Sequence, residues 1–276
     1  MADYTIAATL DQPYDAAVPP TIGALEDLAL PDSLLGLADE TTTAIARYDA
    51  QVGSLVVPFA PLLLRSESAA SSQIEQLTAS AKAIALAELG DRSRSNAAAI
   101  VANTRSMAAA IDRADRLDSD AIIAMHEALL GPEHPHWVGR WRTVQVWIGG
   151  SQYGPQDAAF VPPHPERVPD AMEDLVTFIA RDDLPVLPQI AIAHAQFETI
   201  HPFPDGNGRT GRSLVHAMLR AKSVTRSVTV PISAGLLTDT EAYFSALMEY
   251  RRGDPSPIVE RFAHATFAAI DNGQRL

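Results

Sequence analysis

The sequence predicts a mainly helical protein, and three observations carry that prediction. Hydrophobic residues make up 47% of the chain but aromatics only 6%, so its cores are built from alanine and leucine. Apolar residues recur at helical spacing along most of its length. Residues of strand character gather in one stretch, 141–163, and do not alternate with helices, so there is no βαβ pattern.

The elements follow in order. Pro13, Pro19, Pro20 and Pro31 punctuate residues 1–31, which read as an extended arm. A helix is predicted from Asp32 to about Gln51, with Leu34, Leu37, Ala38, Ile45 and Tyr48 near one stripe. Pro58 and Pro61 mark a second start. The segment from Pro61 to Gln76 permits a helix, but Ser66, Ser68, Ser71 and Ser72 compete for backbone hydrogen bonds there. Further helices are predicted over 77–89, closed by Gly90, over 92–116, and over 119–130, stopped by Gly131-Pro132. Trp141 to Ile148 and Ala158 to Val161 read as two strands of one hairpin, joined by a glycine-rich loop. A lone hairpin is marginal, so it is expected to lie across a helical body. Helices resume over 168–180, 188–199, 209–222, 240–251 and 256–270.

Composition excludes several classes. At ~150 residues per domain, the 276 residues allow one or two domains. There is no cysteine, which removes disulfides, thiolate nucleophiles and thiolate metal sites. The net charge of −13 argues against broad binding to nucleic acid, which needs many cationic phosphate contacts. No apolar run reaches membrane-spanning length, and the acidic start does not read as a signal peptide. A cytoplasmic protein is the expectation.

Chemistry concentrates in one segment, Ile200-His201-Pro202-Phe203-Pro204-Asp205-Gly206-Asn207-Gly208-Arg209-Thr210-Gly211-Arg212-Ser213, between two predicted helices. Gly206, Gly208 and Gly211 spell a dinucleotide fingerprint, and Gly206 with Gly211-Arg212-Ser213 nearly spells a P-loop. Both patterns require a preceding strand, and AIAHAQFETI has helical spacing. The loop nevertheless has the physics of a phosphate site. Its glycines can turn backbone N–H groups toward the start of the next helix, where the dipole favours anions. Arg209 and Arg212 add forked donors in the first turn, where cations without an anionic partner are unfavourable. Asp205 can carry Mg²⁺ beside phosphates, and His201 can serve as a base.

HPFPDGNGRTGR closely resembles the signature of the Fic (Fic/Doc) family, H-x-F-x-[D/E]-G-N-G-R-x-x-R, with every defined position filled. The resemblance extends to WRTVQVWIGG…AAFVPP, similar to the family's flap, to AHAQFETI before the motif and to EAYFSAL after it. It implies a Fic-like helical bundle with one β-hairpin flap over 141–163 and an active-site loop over 201–212. It implies transfer of AMP from ATP to a Ser, Thr or Tyr hydroxyl of a target protein, with release of pyrophosphate. His201 would take the hydroxyl proton. Asp205 would hold Mg²⁺. Gly206, Asn207 and Gly208 would receive the α- and β-phosphates, and Arg209 and Arg212 the outer ones. Phe203 would anchor the loop in the core. Gly208 stands where a related kinase branch, similar to Doc, has lysine.

A second match lies upstream. Ser71-Ser72-Gln73-Ile74-Glu75-Gln76 resembles the family's inhibitory pattern [S/T]-x-x-x-E-[G/N] except at Gln76. Glu75 would pair with Arg212 and displace the γ-phosphate. Glutamine supplies the left-handed cap poorly where glycine is usual. The division this implies is an arm over 1–31, an N-terminal helical region over 32–112 holding the inhibitory segment 61–76, and a Fic core over 113–276.

The remaining candidates are weaker. His194 and Glu198 read as packing and loop-orienting groups, and H-x-x-x-E is no zincin motif. Tyr243 is a candidate adenine contact by resemblance, with core packing an equal reading. The partners implied are ATP, a target protein docked along the flap, and the chain itself through self-modification; a homodimer is left open. Removal of AMP at the same site, or a nucleotide-binding module with little turnover, are the alternative functions.

Overall fold

The computed structural model describes residues 13–55, 60–131, 134–151 and 153–273. Eleven helices follow in order among them: α1 Asp32–Leu55, α2 Ala60–Ile74, α3 Ala81–Glu88, α4 Ser95–Asp112, α5 Ser119–Leu130, α6 Val168–Ile179, α7 Val186–Ile200, α8 Asn207–Ala221, α9 Ile232–Leu237, α10 Thr240–Arg251 and α11 Ser256–Gly273. A 3₁₀ turn, Pro165–Arg167, leads into α6. The mainly helical expectation holds. Helix α9 was not expected; it is a short turn after Pro231, too brief to show a period.

Helix α7 is the axis. Every residue from Leu187 to Ile200 is buried, which is the state of a helix packed on all sides. It touches α1, α6, α8, α10 and α11. One apolar core runs from Ile22 to Ile270 through Ile45, Met125, Phe178, Phe203 and Phe262. The motif loop leaves the C-terminal end of this central helix, so its base is held by the most buried part of the molecule.

The serines of α2 do not break it. Ser68 and Ser72 donate to the carbonyls of Leu64 and Ser68, each at 2.8 Å. Asn103 of α4 donates to the Ser68 carbonyl and the Ser72 hydroxyl at 3.0 and 3.2 Å. Small side chains whose polar groups are satisfied this way allow close approach to α4 and α8. The end of α2 is a Schellman turn: Gln76 N–H donates to Gln73 and Leu77 N–H to Ser72. Gln76 takes φ 61°, the conformation in which glutamine is disfavoured.

The hairpin is corrected to a looser structure. Among the described residues only one antiparallel bridge forms, between Ile148 and Phe160. Strand composition alone cannot build a ladder without a third strand or a face to bury. Val144 is instead 51% exposed. The extended arm from Pro13 lies against the second limb, with Ala17 N–H donating to the Val161 carbonyl at 2.9 Å. Its later part is tied down where Gln196 donates to Pro20 and the Asp174 carboxylate receives Ile22 and Gly23. The expected markers Pro58, Pro132 and the first twelve residues of the arm lie outside the described residues.

Candidate active site

Helix α7 ends on His201, which adopts φ 51°, ψ 61° and closes the last turn by donating its N–H to Phe197 at 2.8 Å. A left-handed histidine is unusual, and Arg142 holds it. The Arg142 backbone donates to Pro202 at 2.8 Å. Its guanidinium donates to the carbonyls of His201 at 2.8 Å and Val144 at 2.9 Å, and also to that of Pro163. One buried cation therefore satisfies the negative end of α7 and joins both roots of the flap to the loop. Burial pushes its pKa down to about 10, so it stays charged at neutral pH.

Phe203 is fully buried and stacks on His126 of α5 at 3.7 Å between centroids. His126 Nε2 also meets the Asp205 carbonyl at 3.0 Å. Asn207 closes the loop from inside. Its Oδ1 accepts from Phe203 N–H at 2.9 Å and its Nδ2 donates to the Phe203 carbonyl at 2.8 Å. The Asn207 side chain is thus a brace across the loop. Gly206 takes φ 77° against Leu129 and Leu130, where a Cβ would press on both. Helix α8 starts directly after it, with N–H groups of its first turn lacking intrahelical acceptors.

The His201 side chain is 19% exposed, with Nδ1 buried 3.9 Å from Glu198 Oε2. That distance is too long for a hydrogen bond. Burial, then the cations Arg251 and Arg142, push its pKa down to about 4, against small opposing effects of Glu198 and Glu75. The ring is neutral at pH 7 and can accept a proton. Burial also pushes Glu198 up to about 7, opposed by Arg212. Arg251 adds structure as well as charge: it donates to the Glu198 carbonyl at 3.1 Å and lies 3.7 Å over the Phe160 ring of the flap.

Asp205 is 57% exposed; its Oδ1 accepts from Gly206 N–H at 2.6 Å, and its Oδ2 lies 4.0 Å from Arg209. Among the described residues no group of three acids or histidines forms a metal cluster. A single outward carboxylate fits Mg²⁺ when phosphate oxygens complete the shell.

Arg212 is buried. Its Nε donates to Ser71 Oγ at 2.9 Å, and its Nη2 to the Ser71 carbonyl and Glu75 Oε1, each at 2.8 Å. Although burial opposes its charge, Glu75, Tyr243 and Glu198 together outweigh it and push its pKa up. Glu75 is 38% exposed; burial would raise its pKa, but Arg212, then Arg209, pull it lower. Its carboxylate lies over Gly208, where a Cβ would collide with Oε1. Two distant segments, 71–75 and 206–212, therefore meet at one point.

Tyr243 is only 1% exposed, and its hydroxyl meets His194 Nε2 at 2.8 Å. The structure puts it in the core with His194, not in an open cleft. Arg142, His126 and Arg251 went unnoticed in the sequence, because nothing in their local spacing marks them. Only the stretch around Arg142 was singled out, and that for its strand character.

The site thus joins a helical body, a glycine-opened helix start, the buried Arg209 and Arg212, and His201 at the end of the preceding helix. Residues 116–219 match the Fic/DOC family model. The chain is 33% identical over 159 residues to the protein adenylyltransferase fic-1 of Caenorhabditis elegans, covering 56% of this chain and 28% of that one. It is 38% identical over 101 residues to a probable protein adenylyltransferase of Aquifex aeolicus, covering 35% of this chain and 28% of the relative. This chain therefore spans well under half the length of these relatives. A crystal structure of a Fic family protein from Desulfovibrio desulfuricans has the same fold, with TM-score 0.72 and 24% identity, over 90% of this chain and 75% of that one.

Proposed function

We propose that this chain transfers AMP from ATP to a hydroxyl side chain of a target protein and restrains itself through Glu75. The observation that carries the transfer reading is the placement of His201 at the end of α7, one loop before the glycine-opened start of α8. In the step, the target oxygen attacks the α-phosphorus and the bond to the β-phosphate oxygen breaks. Pyrophosphate leaves, and the hydroxyl proton passes to His201 Nε2, the ring nitrogen not buried against Glu198. Positioning and charge do most of the work in such transfers. The N–H groups of Asn207 and Gly208 would face the inner phosphates, and Arg209 with Arg212 the outer ones. Asp205 would hold Mg²⁺, which neutralises phosphate charge when bound. The target would lie along the flap, whose exposed Val144 limb offers backbone groups for pairing.

The self-inhibition reading rests on the Glu75 carboxylate over Gly208. An anion there competes with the triphosphate for Arg212. The test is incubation with ATP labelled on the adenine, following label on the chain itself and on lysate proteins, for the native chain and Glu75→Gly. More label in Glu75→Gly is expected. Equal or lower label in Glu75→Gly counts against inhibition, and no label in either counts against transfer.

A further inference from the structure

Helix α2 lies antiparallel along α8 in a repeating register. Glu67, Ser71 and Glu75 are spaced by four on one side, and Gly208, Arg212 and His216 by four on the other. Steps of four place each set on one helical face. The contacts pair the two sets in opposite order. His216 Nε2 meets Glu67 Oε1 at 2.8 Å. Arg212 Nε donates to Ser71 Oγ at 2.9 Å. Glu75 covers Gly208 while bonding Arg212. The result is a polar ladder of three rungs.

The rungs differ in strength. Glu67 is fully buried and has two further donors, the Ser233 N–H at 2.8 Å and the Ser233 hydroxyl. A buried carboxylate is strongly resistant to losing a partner, because the remaining charge is left uncompensated. Glu75 sits at the exposed helix end, directly before the left-handed Gln76. A ladder with equal steps is also ambiguous: sliding by one turn, ~5.4 Å, would bring another acid opposite Arg212. The extra donors from α9 recognise Glu67 alone and remove that ambiguity. No part of the proposed transfer chemistry uses Glu67.

We infer that Glu67 is the positioning residue of the inhibitory segment: its bonds to His216 and Ser233 set the register of α2 on α8 and so place Glu75 on Arg212. This rests on the reading that Glu75 inhibits. Relief of inhibition is then a rearrangement of the last turn of α2, with Glu67 still docked.

The test is self-modification with labelled ATP by the full chain, Glu75→Gly, Glu67→Gln and the double variant. Glu67→Gln is expected to raise the rate ~10-fold, since bonds to charged groups bias a docked equilibrium by about that factor or more. The double variant is expected to match Glu75→Gly, because both changes act through one contact. A purely structural role would lower activity, not raise it. Hydrogen exchange should quicken in α2 and not in α7. A wild-type rate in Glu67→Gln beside an activated Glu75→Gly overturns the inference. An unactivated Glu75→Gly instead overturns the inhibition reading beneath it. Should Glu67→Gln not fold, Ser233→Ala removes a single hydroxyl. It is expected to raise the rate by ~3-fold, and an unchanged rate with unchanged α2 exchange likewise overturns the inference.

Discussion

The motif loop and the flap face each other across the same site, yet they are built in opposite ways. The loop 201–206 is short, and its conformation is set from all sides. Phe203 is buried and stacked on His126, Asn207 braces it from within, and Arg142 caps its first residue. Among its described residues the flap has one bridge, a cation over Phe160, and an exposed Val144 in its first limb. Under the proposed function, the difference falls where rigidity would be needed. Phosphate alignment tolerates little error, since misplacement of reacting groups forfeits much of the rate. A docking edge gains from unfilled backbone groups that a partner can complete.

The sharpest way to break this comparison is at His201. His201→Ala is expected to lower self-modification ~10²–10⁴-fold, as loss of a general base does. It should be measured in the Glu75→Gly background, where the starting rate is highest. Retention of the parent rate would take His201 out of the mechanism and leave the loop as packing alone.

Packing gives the next contrast. Phe203→Ala is expected to destabilise the chain by ~3–5 kcal/mol, whereas Val144→Ala on the flap should stay within ~0.5 kcal/mol. Urea melts of both variants decide it. Similar losses in the two would mean the flap is as firmly built as the loop.

Acid should act on the loop's surroundings before the flap. His126, His194 and His201 are held at about 4, 3 and 4, in each case with burial as the leading cause. Each adds stability in full above its unfolded value near 6.5, and loses it as pH falls toward the folded value. Glu198, raised to about 7 by burial, works in the opposite sense. Its neutral form is favoured in the fold, so its contribution fades as pH rises from about 4.5 through 7. Three imidazoles against one carboxyl leave a net loss on acidification. The melting temperature should therefore drop between pH 6.5 and pH 4.5. A flat or rising profile there would show that these histidines are not held neutral in the fold.

The smallest effect is at the end of α2. Gln76→Gly removes the left-handed strain of a side chain and should stabilise that turn by ~1 kcal/mol. Glu75 would then be held more firmly, and basal self-modification should fall. Thermal melts and the labelling assay measure the two halves separately. A rise in labelling would mean that the turn does not control Glu75.

Much of the fold was legible because long helices carry their own period. The predicted spans over 119–130 and 240–251 coincide with α5 and α10. The flap was misread in extent, because β-branched residues state a preference that only a neighbouring strand can satisfy. Helix α9 was missed because six residues are too few to show a period. The serines of α2 looked disruptive until Asn103 and the preceding carbonyls supplied their partners.

By itself, the sequence determined the helical class, the motif loop with His201, Asp205, the glycines and the arginines, and the candidate inhibitor Glu75. These rest on local facts: residue type, spacing along one helix and the conformational freedom of glycine. Only the tertiary structure decided how they meet. It set Glu75 over Gly208, buried Tyr243 against His194, turned the Asn207 side chain inward and made Arg142 the cap of α7. Those outcomes depend on burial and on partners far apart in the chain. Burial sets the free energy of every charge and hydrogen bond, and it exists only once the helices have packed.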